Sequence, residues 1–137
     1  MKTTVTARIR APLARVWAYW TLPEHVRQWN SASDDWHTPT ATSDLRPGGT
    51  FVYRMESRDG KAGFDFSGVY ETVEAMRALS YRLEDDRRVT VGFQEADGEV
   101  VVTETFDTEQ LNTAERQREG WQAILDHFKR YVEESAG

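Results

Sequence analysis

The stretch NTAERQREGWQAILDHFKRYVEE, residues 112–134, decides the fold. Trp121, Ile124, Leu125, Phe128 and Val132 recur at the helical period and make one apolar stripe, while charged side chains fill the opposite face. Asn112 followed three residues later by Glu115 reads as a variant capping box at the start, and the pattern carries the helix to about Glu134. Such a helix owes its stability to burial of its stripe, so the rest of the chain must supply an apolar surface to receive it.

That surface is an antiparallel meander. Working back from the helix, Val100 to Phe106 alternates behind the Asp97-Gly98 turn, and Val89, Val91 and Phe93 precede it. Leu79, Tyr81 and Leu83 form the strand before that. Phe64, Phe66, Gly68 and Tyr70 follow the Asp59-Gly60 turn, and Phe51, Tyr53 and Met55 follow Gly48-Gly49. At the N-terminus Val5, Ala7 and Ile9 alternate as one more half-buried strand, ended by Pro12. From Pro12 the period changes: Leu13, Val16, Trp17 and Trp20 share a helical face. A second short helix opens with Thr21 and Glu24 as a capping box and carries Leu22, Val26 and Trp29 on its apolar side. Residues 30–43 are polar, interrupted by Trp36 and Pro39, and read as a loop into an edge strand. No βαβ unit, repeat or linker divides the chain, so an α+β fold in one domain over residues 1–137 is expected, the final helix lying across a curved sheet.

Composition narrows the function. There are 17 Lys and Arg against 23 Asp and Glu, a formal net charge of −6, which opposes nucleic acid and anionic membrane surfaces as partners. The absence of cysteine removes disulfides, thiol nucleophiles and thiolate metal sites. No apolar run is long enough to span or insert into a membrane, and the first ten residues hold no signal-type apolar core, so a cytoplasmic location is expected.

Several strings, spread over nearly the whole chain, resemble the START-like (SRPBCC, helix-grip) superfamily and, within it, the homologues of the activator of heat-shock-protein ATPase. They are residues 11–17 (APLARVW), 23–29 (PEHVRQW), 44–49 (DLRPGG), 64–70 (FDFSGVY) and Gly120-Trp121. The resemblance implies a helix-grip fold with a cavity between sheet and final helix that holds a small apolar molecule such as a lipid, sterol or polyketide. It also implies two other roles found among relatives: polyketide cyclase or aromatase chemistry, and regulation of a chaperone partner.

The residues offer candidates for each role. Phe51, Tyr53, Phe64, Phe66, Tyr70, Tyr81, Phe93 and Trp121 all fall at inward positions. With Trp29, Trp36, Glu104, Gln117 and Leu125, all of these but Tyr70 make up the expected ligand contacts. Glu104 is in phase with Val100, Val102 and Phe106, and a carboxyl in that apolar file would mark a site. If Phe64 and Phe66 face the concave side, Asp65 is exposed; in the reverse register it is buried and needs Arg54 or Arg82. Arg116 and Gln117 stand where they could meet a ligand head group at the cavity mouth.

For catalysis, Asp34, Asp35 and His37 bring two carboxylates and an imidazole into one loop and would make His37 a general base if they converged on the cavity. A turn with solvated side chains, anchored by Trp29 and Trp36, accounts for the same residues. His25, Asp35 and His37 fit no metal-ligand spacing, and His127 is expected on the solvent face. No metal or cofactor is expected. Gly120 is read as permitting close backbone approach beside Trp121.

Overall fold

The computed structural model describes residues 2–135. Strand β1 (Lys2–Ile9) is followed by helices α1 (Leu13–Thr21) and α2 (Pro23–Trp29). Six strands come next: β2 (Trp36–Ser43), β3 (Thr50–Ser57), β4 (Gly63–Glu74), β5 (Ala78–Leu83), β6 (Arg88–Ala96) and β7 (Glu99–Asp107). Helix α3 (Ala114–Glu134) closes the chain. The seven strands form one antiparallel sheet ordered β1-β7-β6-β5-β4-β3-β2, so β1 and β2 are its edges. Irregularities at His37/Thr40 in β2 and Tyr70/Thr72 in β4 break the register, and the sheet curls into a half-barrel around α3. At the β6–β7 turn both Asp97 (φ 54) and Gly98 (φ 81) are left-handed, the primed geometry that matches the twist of the flanking strands.

Burial follows the alternation read from the sequence. Val5, Ala7 and Ile9 on β1, Val89, Val91 and Phe93 on β6, and Val100, Val102 and Phe106 on β7 are all buried on the concave face. Gly68 on β4 makes room there: a Cβ at this position would sit 2.6 Å from the Arg82 carbonyl oxygen and 3.0 Å from the Phe51 ring.

Helix α3 is held most firmly through its C-terminal half. Leu125, Phe128 and Val132 are fully buried, and the Phe128 ring meets Trp20 (4.9 Å between centroids, 79°) and Trp29 (4.8 Å, 70°) edge-on. The helix also fastens edge strand β1. The Gln122 side-chain amide donates to the Thr6 carbonyl at 3.0 Å, the Lys129 ammonium donates to the Arg8 carbonyl, and the Arg10 amide donates to Glu133 at 2.8 Å. Outer carbonyls that would otherwise offer themselves to another strand are thereby occupied.

The helix starts differ from expectation. Thr113 caps α3, its hydroxyl accepting from the Arg116 amide at 3.1 Å, because Asn112 is held by Glu109 through both its backbone amide and its side chain. Thr21 ends α1 by donating to the Trp17 carbonyl at 2.8 Å, which removes it as a cap for α2. Leu22 is the residue before α2, exposed rather than on its buried face, and Pro23 supplies the first turn. A Cβ on Gly120 would meet nothing within 4 Å, so this glycine does not serve a close approach.

Phe128→Ala is expected to lower stability by about 3–5 kcal/mol in urea unfolding, since a large ring fully enclosed by aromatic neighbours leaves a void. Gln122→Ala, which removes one exposed hydrogen bond, should cost about 1 kcal/mol or less.

Candidate functional site

The N-terminal half of α3 stands off from the sheet and leaves a cavity of about 230 Å³. Trp20 of α1, Trp29 of α2 and the adjoining Asn30 form one end. Phe51, Tyr53 and Met55 of β3, Phe64, Phe66 and Tyr70 of β4, and Leu79 and Tyr81 of β5 form the wall. Glu104 of β7 and Arg87 of the β5–β6 turn add charge-bearing groups, and Trp121 and Ile124 of α3 form the roof. Trp121 stacks flat on Phe106 (4.1 Å, 10°) and meets Phe66 edge-on at 6.2 Å, so its indole is propped between strand and space. Phe64, 48% exposed, lies at the outer rim with Trp36 against it at 5.9 Å.

The polar groups in this apolar enclosure are few. Glu104 is 6% exposed, is paired with Val5 and Val91 across the sheet, and opens onto the cavity, with no hydrogen bond to its carboxyl among those of the described residues. Burial raises its carboxyl to a pKa of about 8, so it is largely neutral at pH 7. The Tyr81 hydroxyl is held well above its usual value by burial first and then by Glu104 nearby. Tyr53 is raised likewise, by burial and then by Tyr70, whose own hydroxyl shares a 2.9 Å hydrogen bond with Ser43. Arg87 is tied by its Nε to Asp85 at 2.7 Å. The arrangement can enclose an apolar body and offer it one buried acid and a set of phenols.

Of the residues expected to meet a ligand, Trp29, Phe51, Tyr53, Phe64, Phe66, Tyr81, Glu104 and Trp121 lie on this cavity. Four do not. Phe93 is buried between Trp17 and Trp20 (5.2 and 5.9 Å), because the part of β6 that carries it runs beneath α1. Leu125 belongs to the close-packed half of α3. Trp36 is not on the cavity lining and meets only its edge through the rim residue Phe64, at 5.9 Å. The Gln117 amide binds the approach to its own helix, bonding the Glu109 amide and the Glu109 and Asn112 carbonyls. Arg116 is exposed. Of the two registers left open for β4, the structure has the one with Asp65 exposed, opposite Arg54 at 3.5 Å; Phe66 is half-buried on the cavity side, while Phe64 on the same side stays exposed at the rim.

The Asp34, Asp35 and His37 side chains do not reach the cavity. Both aspartates are exposed, with their backbone carbonyls accepting from Arg58 (2.7 and 2.8 Å), and His37 sits on edge strand β2 opposite Glu56. His25 is stacked on Tyr19 and hydrogen-bonded to the Tyr131 hydroxyl at 2.7 Å. His127 is half-buried rather than solvated, its Nδ1 lying 3.2 Å from the Ser31 carbonyl and 3.4 Å from its hydroxyl. Among the described residues no three His, Asp or Glu side chains are grouped to hold a metal ion, and no helix is long and apolar enough to cross a membrane.

Trp20, Asn30, Met55, Tyr70, Leu79, Arg87 and Ile124 also line the space. Met55, Tyr70, Leu79 and Ile124 are in phase with residues named from the sequence, so periodicity could have found them. Arg87 sits in a turn and carried no such signal.

The family model for Activator of Hsp90 ATPase homolog 1-like protein matches residues 10–133. The chain belongs to this family. A solution structure of an AHSA1-like protein from Aeromonas hydrophila is 45% identical, covering 98% of this chain and 94% of that one with a TM-score of 0.94. A protein from Cytophaga hutchinsonii is 41% identical, covering 98% and 93%, at 0.85. One from Nitrosomonas europaea, 19% identical over 98% and 96%, shares the fold at 0.82. Among curated proteins none matches the chain. The AHSA1-like chain has the helix-grip fold, the grip being the curled sheet around α3.

Glu104 ties stability to pH. Between pH 5 and 8 the folded protein keeps a proton that an unfolded glutamate, at its ordinary 4.5, has shed. Stability should therefore fall as pH rises through this window, by about 1.4 kcal/mol per pH unit from this group, and the decline should flatten above pH 8. In thermal unfolding from pH 5 to 9, Glu104→Gln should abolish this decline.

Proposed function

We propose that this AHSA1-like domain is a binding protein that encloses a small, largely apolar ligand between the sheet and the N-terminal half of α3. The observation that carries the reading is the cavity itself, a space walled mainly by aromatic rings with one buried acid among them. Close packing is the normal condition of a protein interior, and voids beyond the size of a water molecule are few. An apolar cavity of about 150 Å³ is enough to take benzene. A space of about 230 Å³ is thus scaled to a bicyclic or phenylalkyl body rather than a whole sterol, with a longer molecule emerging past Phe64.

Tyr53, Phe66, Tyr81 and Trp121 present ring faces and edges to such a body, and Glu104 orients it. A catalytic reading built on Asp34, Asp35 and His37 has no geometric support, since these side chains lie outside the cavity. A chaperone partner is a separate matter of surface recognition, on which the cavity does not bear.

Amide shift mapping of labelled protein with 1-naphthol tests the reading. Shifts should concentrate on the residues around Trp121, Tyr81 and Phe66. Ile124→Trp, which fills the space from α3, should weaken binding at least tenfold while unfolding stays cooperative. Saturating ligand that shifts only surface residues, or binds Ile124→Trp as well as wild type, would overturn the proposal.

A further inference from the structure

We infer that the ligand carries a protonated amine, received by the Glu104 carboxylate while the apolar body lies among Trp121, Phe66 and Tyr81. This rests on the cavity reading above and deepens it.

Glu104 has no structural task that can be named. It lies between Val102 and Phe106 on the inner face of β7, opposite Val5 and Val91, and opens onto the cavity with no hydrogen bond to its carboxyl among those of the described residues. A carboxyl in such a place is costly unless something completes it. Two chemistries can. A neutral hydroxyl or carbonyl shares its proton; an ammonium displaces the proton and forms an ion pair.

Three features favour the ammonium. The rings around the acid offer π faces, and a carboxylate set among aromatic rings is the composition that recognises organic cations. Among the described residues the one cationic side chain on the cavity is Arg87, whose Nε is held by Asp85. The net charge of −6 enriches cations around the protein. The step balances simply: the neutral acid and the ammonium give the carboxylate–ammonium pair and one proton to solvent. With the free acid at a pKa of about 8, giving up that proton near neutral pH costs little against an ion pair formed away from water.

The other titratable groups on the cavity are Tyr53, Tyr70, Tyr81 and Arg87, from β3, β4, β5 and the β5–β6 turn; α1, α2 and α3 bring none to it. Phenols and a guanidinium ordinarily ionise above pH 9, so a change in affinity between pH 6 and 8 reports on Glu104.

The probes are 4-phenylbutylamine and its neutral counterpart 4-phenylbutanol, followed by calorimetry in buffers of differing ionisation enthalpy. Amine affinity should rise about tenfold per unit from pH 6 to 7.5 and level off above 8, with close to one proton released at pH 7. At pH 8 the amine should bind at least tenfold more tightly than the alcohol, and Glu104→Gln should lose both that preference and the slope. The pH slope needs only the wild-type protein, so a variant that folds poorly leaves the test intact. Alcohol bound as tightly as amine, with no proton released, would overturn the amine inference and leave the cavity reading standing. If neither probe shifts residues around Trp121, both fall.

Discussion

Phe128 set edge-on against Trp20 and Trp29 locks the C-terminal half of α3 to α1 and α2, and the remaining geometry depends on that contact. Seven curled strands present more concave surface than one helical stripe can cover. Where α1 and α2 supply two indoles, the gap closes and Leu125, Phe128 and Val132 are fully buried. Toward the N-terminus of α3 these two indoles reach only one end of the space. There Trp121 bridges to the sheet by stacking on Phe106, and the space beside it stays open. The cavity is therefore the residue of unequal packing along a single helix, which is why it lies beneath Trp121 and not beneath Phe128.

Glu104 turns this void into a specific site. Flanked by Val102 and Phe106, it places an ionisable group where burial opposes charge, and raises the Tyr81 phenol along with itself. An apolar side chain there would pack as well and stabilise the fold above neutral pH. Local departure from the folding optimum, found on the wall of a cavity, is the pattern expected of a functional position.

Much of this was legible in the sequence because periodicity reports faces. The stripe on α3 and the alternation on the strands other than β2 followed from phase; β2 lies inside the polar stretch read as a loop, and phase put Glu104 in line with Val102 and Phe106 without deciding between cavity and solvent. Phase does not report position along the sheet: Phe93 and Tyr81 have the same inward signal, yet α1 covers the first and leaves the second on the cavity. Nor does it settle competition between neighbours for one hydrogen bond. Asn112 was drawn off by Glu109 and Thr21 by the Trp17 carbonyl, so both caps moved by a residue or vanished. Proximity in sequence misled at Asp34, Asp35 and His37, where the chain leaves α2 for an edge strand and turns those side chains away from the interior. His127, read as solvated, found Ser31 96 residues away, a partner invisible to local pattern.

The site turns on a carboxyl that opens onto an apolar cavity with no hydrogen bond to it among those of the described residues. The most direct test is a carbon-13 titration of the Glu104 side-chain carboxyl in the ligand-free protein. A midpoint near 8 is expected. A midpoint near the ordinary glutamate value of 4.5 would mean that Glu104 is open to water or bonded by a donor, and would contradict this reading of the site.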